Sequence, residues 1–225
     1  MSTQEALQEY DNCAAKIFSS KNRKRWSATE RFRATALQEA VKGILKQRGL
    51  QETEPMWEKS APQKGKAVVA VMPADQLASP RLIRSWRPNA SRQDDLWDRD
   101  ITIWEAARAT TAAPSFFKPQ KLGQGPNAQL YVDAALGVNN PIKQLLDEAE
   151  KEFGTSRRLG LILSIGTGTR KTELSPPDRG LLKNWIRGPS FYINLVKTMK
   201  DKTTDSEAPH GDLEARLGQY SGLYF

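Results

Sequence analysis

Cysteine and histidine are nearly missing from this 225-residue chain, at one each: Cys13 and His210. A single cysteine excludes an intrachain disulfide, and one cysteine with one histidine excludes a zinc site of the Cys/His type. No metal or organic cofactor is expected. Long apolar runs are missing too. None approaches the roughly 18 residues that would span a bilayer as a helix, and Met1-Ser2-Thr3-Gln4-Glu5 lacks the charged-then-apolar layout of a secretion signal. These features point to a cytoplasmic protein, peripheral at membranes if it meets them at all. The chain also has no G-x-S-x-G, the strand-to-helix turn that exposes a nucleophilic serine. The nearest approach, Gly188-Pro189-Ser190, lacks the second glycine and follows no apolar strand.

Enough apolar residues are present to fold. They make up 38% of the chain, and with glycine roughly 45%, the globular range. The net charge of +8 favours anionic surfaces such as phospholipid headgroups, nucleic acid or acidic proteins, and says nothing about fold. No nucleic-acid-binding motif accompanies the charge, so nucleic acid is not an expected partner. The basic run Lys21-Asn22-Arg23-Lys24-Arg25, with Trp26 beside it, is read first as a solvated connector between helices. The sharper alternative is contact with a membrane surface, or a localisation signal.

Ser2-Thr3-Gln4-Glu5, Ser27-Ala28-Thr29-Glu30 and Thr102-Ile103-Trp104-Glu105 are three capping boxes, each predicting a helix start. The first helix should stop near Ser19-Ser20 and the second at Gly49. The third should run over residues 104–111 and end before Pro114. Asn140 followed by Pro141 predicts an N-cap and a helix-opening proline, with a helix to about residue 153. A further helix is expected over residues 184–202. Residues 51–65 and 87–98 read as loops. Ala67-Val68-Val69-Ala70-Val71-Met72 and Leu159-Gly160-Leu161-Ile162-Leu163-Ser164-Ile165 read as strands buried on both faces. Arg81-Leu82-Ile83-Arg84-Ser85-Trp86 reads as an edge strand and Leu130-Tyr131-Val132 as a short one. Alternating strands and helices with two near-continuous apolar runs predict a layered α/β domain with a largely parallel sheet.

The chemistry concentrates between residues 104 and 168. Ala107-Arg108-Ala109-Thr110-Thr111-Ala112-Ala113-Pro114 is followed by Asp133-Ala134-Ala135 leading to Asn139-Asn140-Pro141, and then by Ser164-Ile165-Gly166-Thr167-Gly168. In order, spacing and content this resembles the second half of the patatin-like phospholipase family, with its "A-R-A-T-S-A-A-P" helix end, "D-G-[AG]" motif leading to "N-N-P", and "S-[IL]-G-T-G" strand end. The resemblance implies a lipid acyl hydrolase acting on phospholipid or acylglycerol through a serine–aspartate dyad, in a layered, lysophospholipase-like fold. Asp133 matches the motif aspartate and so would be the general base. That role needs a carboxylate within hydrogen-bond reach of the serine, in a partly dry site.

The family's serine and its Gly-rich oxyanion segment precede the matched region and are absent from these 225 residues. The chain is therefore expected to be a partial patatin-like domain spanning 1–225, truncated on the N-terminal side and inactive as it stands. The alternative is a non-enzymatic remnant that binds lipid or a protein partner. Apolar faces left uncovered by missing strands should make it self-associate. Three further features receive plain readings: His210 as an exposed histidine, Gly166-Thr167-Gly168 as a turn, and Phe116-Phe117 as either the lining of an acyl-chain channel or ordinary core.

Overall fold

The computed structural model describes residues 2–24, 30–57, 65–75, 79–88, 97–136, 138 and 140–164. His210, Gly166-Thr167-Gly168, Gly188-Pro189-Ser190 and the helix expected over 184–202 lie outside the described residues, as do Arg25 and Trp26 of the basic run.

Two of the three capping boxes form as read. Helix α1, Thr3–Ile17, opens on Ser2, whose hydroxyl accepts the Glu5 N–H while the Glu5 carboxylate accepts the Ser2 N–H. Helix α3, Ile103–Thr110, opens on Thr102 with the same reciprocal pair to Glu105. At eight residues α3 is too short to stand alone, so its cap should carry measurable weight. Thr102→Ala is expected to cost about 1 kcal/mol of stability, read as a lowered urea midpoint at unchanged slope.

Of the box at Ser27–Glu30, residues Ser27, Ala28 and Thr29 lie outside the described residues. Helix α2, Ala34–Gln47, begins after Arg33, which caps it without a side-chain hydrogen bond. The residues just before it are taken by extended pairing. Lys24 N–H donates to Arg31 O, Arg33 N–H to Asn22 O, and Arg31 N–H to Ser115 O. Gly49 follows α2 with a φ of 72°, the left-handed stop that glycine supplies. Helix α4, Ile142–Phe153, starts one residue later than expected, with Pro141 as the cap and the Asn140 side chain accepting the Ile142 N–H.

Strands β1 (Val68–Pro73), β2 (Arg81–Arg84), β3 (Gln120–Leu122) and β4 (Gln129–Asp133) form a sheet ordered β2-β1-β4-β3. All three pairings are antiparallel. The expectation of a largely parallel sheet is thereby corrected for the described residues. The links 74–80 and 123–128 are too short for the dozen or more residues of a crossover between parallel strands. The apolar run of β1 reports burial rather than strand direction, because β1 is a central strand covered on both faces.

Strand alternation sets the layers. Val71 and Ile83 pack with Ala106 and Ala109 of α3, with α2 against α3 and α1 against α2 beyond. Arg84, the next residue along, turns to the opposite face and meets Glu148 of α4. The result is an α/β/α arrangement. β3 was not read from the sequence; of its three residues only Leu122 is buried.

The expected strand at residues 159–165 also needs correction. Within 159–164 only Ile162 takes a β-bridge position. Ile162 packs against Ile142 and Leu146 of α4, while Leu159, Leu161 and Leu163 are exposed. Ile162 is the one buried residue in 159–164, so the segment is not covered on both faces.

Candidate active site

Asp133 is the last residue of β4, opposite Val71 in the ladder. Its own N–H donates to the Ala112 carbonyl at 3.1 Å. That bond ties the strand end to the segment leaving α3, so two of the sequence motifs meet at this residue. Its carboxylate accepts the Ala135 N–H at 2.9 Å through Oδ1, the short-range turn that aspartate makes readily. Ala134 follows, buried in a 3₁₀ turn, Ala134–Leu136. It is not among the described non-glycine residues with positive φ, a set that holds Ser115 at 67°. The backbone therefore makes no demand for glycine at position 134.

Burial pushes the Asp133 carboxyl above the ordinary aspartate range, and the Ala135 N–H opposes this. Asp133 lines a cleft of about 390 Å³. The cleft's walls are mainly apolar, from Val68, Ala70 and Leu82 of the sheet and Leu145 of α4, with Thr110 and Gln144 as further polar neighbours. The Thr110 hydroxyl is already committed to the Ala70 carbonyl at 2.8 Å. Apolar walls with a few polar groups are the usual make-up of a small-molecule site, and a desolvated carboxylate in a cleft is the usual make-up of a general base. Among the described residues no cluster of His, Cys, Asp or Glu is placed to hold a metal ion, and no helix is long and apolar enough to cross a membrane.

Arg108, from the same motif, does not reach the cleft. It is buried, lies over the Phe117 ring at 5.7 Å, and donates to the Lys118 carbonyl at 2.6 Å. Burial lowers its pKa to about 10, opposed by the charge of Glu30, so it stays a cation at neutral pH. It pins the loop after α3, the loop whose Ala112 carbonyl holds Asp133. Phe116 and Phe117 are core residues here, packed with Ile17, Leu37 and Phe32. They do not line the cleft.

Among known proteins, a family model described as patatin-like phospholipase matches residues 2–146. The chain belongs to the patatin-like phospholipase family. It is 30% identical over 113 residues to "Probable inactive patatin-like protein 9" of Arabidopsis thaliana, covering 47% of this chain and 29% of that protein. It is 30% identical over 126 residues to the calcium-independent phospholipase A2-gamma of Mus musculus, covering 55% of this chain and 14% of that protein. The Rattus norvegicus protein of the same name is 29% identical over 118 residues, covering 51% of this chain and 13% of that protein. The matches thus span less than a third of the length of these relatives.

Proposed function

We propose that these residues form part of a lipid acyl hydrolase domain, spanning 1–225, in which Asp133 is the general base and phospholipid or acylglycerol the substrate. The observation that carries this is the setting of Asp133. It stands at the family motif's position, has one carboxylate oxygen fixed by Ala135, and borders a mainly apolar cleft. A base in that setting draws a proton from a hydroxyl placed against it, and the freed alkoxide attacks the ester carbonyl. The serine and the oxyanion donors would come from a segment outside this sequence, so the 225-residue chain by itself is inactive. A cytoplasmic location, peripheral at membranes, goes with this reading.

A second reading is a non-enzymatic member that binds lipid or a protein partner. The missing G-x-S-x-G favours it, and the Arabidopsis relative's name calls that protein inactive.

Ester hydrolysis by the purified 225-residue chain is the first test. The expected result is no turnover above buffer with a chromogenic short-chain ester or with phospholipid micelles. Steady turnover that disappears in Asp133→Asn would show that the chain holds its own nucleophile and would overturn the incompleteness. The hydrolase reading is then tested by joining the chain to a preceding segment that contains G-x-S-x-G. Failure of every such joined form to hydrolyse ester would favour the binding protein.

A further inference from the structure

The cleft at Asp133 has one polar group whose bonding is unfinished. Among the described residues three polar side chains line it: Thr110, Asp133 and Gln144. The Thr110 hydroxyl is spent on the Ala70 carbonyl at 2.8 Å, and one Asp133 oxygen is held by the Ala135 N–H at 2.9 Å. The amide oxygen of Gln144 is buried and accepts no hydrogen bond from any described group. Leaving such an acceptor unpaired costs the folded state its desolvation, so a buried amide oxygen ordinarily has a partner.

The helix end explains why the local partner is missing. Gln144 is the third residue of α4, the position from which a glutamine folds back to accept the backbone N–H of the N-cap. Here the N-cap is Pro141, and no side chain bonds to it. Proline has no N–H to give. The amide is therefore left on the helix side of the cleft, facing a sheet side made by Val68, Ala70 and Leu82.

The partner it lacks must donate a proton, and the apolar walls restrict that donor to a neutral group, because a charge would lose its hydration there. A glycerolipid whose ester stands at Asp133 has few such groups. Acyl chains, ester oxygens and phosphate diesters carry no donor, and an ammonium headgroup is charged. A free glycerol hydroxyl is neutral and lies within a few bonds of the ester. It both gives and accepts, so it satisfies either end of the amide. Room points the same way. At roughly 30 Å³ for a water-sized group, the cleft of about 390 Å³ holds about a dozen, one acyl chain's worth rather than two.

We propose that Gln144 is a specificity-determining residue that accepts the free glycerol hydroxyl of a single-chain glycerolipid, and so favours it over a fully acylated one. The amide is kept at a cost to the empty protein, and the hydroxyl repays that cost on binding. A fully acylated lipid has an ester where the hydroxyl would be, and leaves the amide oxygen unpaired.

The experiment is an NMR titration of the 225-residue chain with a lysophosphatidylcholine carrying an eight-carbon acyl chain, and with its analogue in which hydrogen replaces the glycerol hydroxyl. Both are kept below their micelle concentrations. The hydroxyl form should bind about five- to tenfold more tightly, the worth of one net hydrogen bond. In Gln144→Met, which keeps the side chain's length and removes its amide, the two lipids should bind within about twofold of each other. The same variant should show a raised urea midpoint at unchanged slope, because an unpaired buried acceptor is gone. Equal binding of the two lipids by the unsubstituted chain would overturn the role of Gln144. So would a preference that persists in Gln144→Met, since another group would then hold the hydroxyl, and so would a lowered urea midpoint, which would mean that the amide is bonded within the fold. This role rests on the reading of Asp133 as the base, yet the two fail separately. A lost preference with the acyl chain still bound removes Gln144 alone, whereas binding of neither lipid removes the cleft as an acyl site and with it the substrate assigned to Asp133.

Discussion

Glu148→Leu is expected to cost about 3–5 kcal/mol, the largest stability effect of any single substitution considered for this fold. Glu148 is 2% exposed and receives Arg84 at both oxygens, from Nε at 2.7 Å and Nη2 at 3.2 Å. Arg84 is itself 3% exposed. Its backbone N–H donates to the buried Asp98 at 2.8 Å, with Nη1 at 3.7 Å from the same carboxylate oxygen. Burial holds the Asp98 carboxyl above its usual range, against the pull of Arg84. Removing Glu148 leaves a buried guanidinium that has lost its two-pronged acceptor, and one-sided removal is far costlier than replacing both partners together. The double variant Arg84→Met/Glu148→Leu should therefore recover most of the loss. A Tm lowered by about 10 °C in the single variant and largely restored in the double is the expected result. Equal losses in both would mean that packing, not charge, dominates.

The same cluster explains how α4 is set against the sheet. Trp86 Nε1 donates to Glu152 at 3.0 Å and Lys66 pairs with Glu152 at 2.9 Å. Arg84 and Trp86 are two apart, at the end of β2 and in the bend that follows it. Glu148 and Glu152 are four apart on one helix face, which spans about 6 Å. Arg84 at the end of β2 and Trp86 in the bend after it thus meet two side chains of one helix face. Because α4 also supplies Gln144 and Leu145 to the cleft wall, this spacing fixes the width of the cleft opposite Asp133.

Features closed within four residues could be read from sequence. The boxes at Ser2 and Thr102 need only a side chain and a backbone amide three positions on. Helix α2 begins only at Ala34 because residues 31–33 are claimed by partners at 22–24 and 115, which no local pattern records. Arg84 and Glu148 lie 64 positions apart, so their pairing was equally hidden. The run Val68-Val69-Ala70-Val71-Met72 told of burial, and burial is indifferent to whether the neighbouring strand runs up or down. Asp133 was reached through motif order. What the sequence could not supply was its anchor, the Ala112 carbonyl, which becomes a partner only when the end of α3 is folded against β4.

Asp133→Asn should move stability and chemistry in opposite directions. Asparagine can keep the Ala135 N–H acceptor and removes a charge that burial disfavours, so the folded state gains about 0.5–2 kcal/mol at neutral pH. The pH dependence carries the sign. A carboxyl raised above its unfolded value binds its proton more tightly when folded, so its contribution to stability is complete below the unfolded pKa and is lost as pH rises through the folded one. The advantage of the asparagine variant should therefore be absent in acid, grow across the raised pKa and level off above it. Urea titrations of both proteins from acid to neutral pH would show this, and a constant gap would mean that Asp133 is not desolvated. In a joined form carrying the serine, the same substitution should lower kcat by about 10²–10⁴ by removing the proton acceptor, with KM little changed because the cleft walls remain. A residue retained only to make a turn would show neither effect. A more stable protein with its chemistry lost is what a carboxylate kept in an unfavourable place for its basicity predicts.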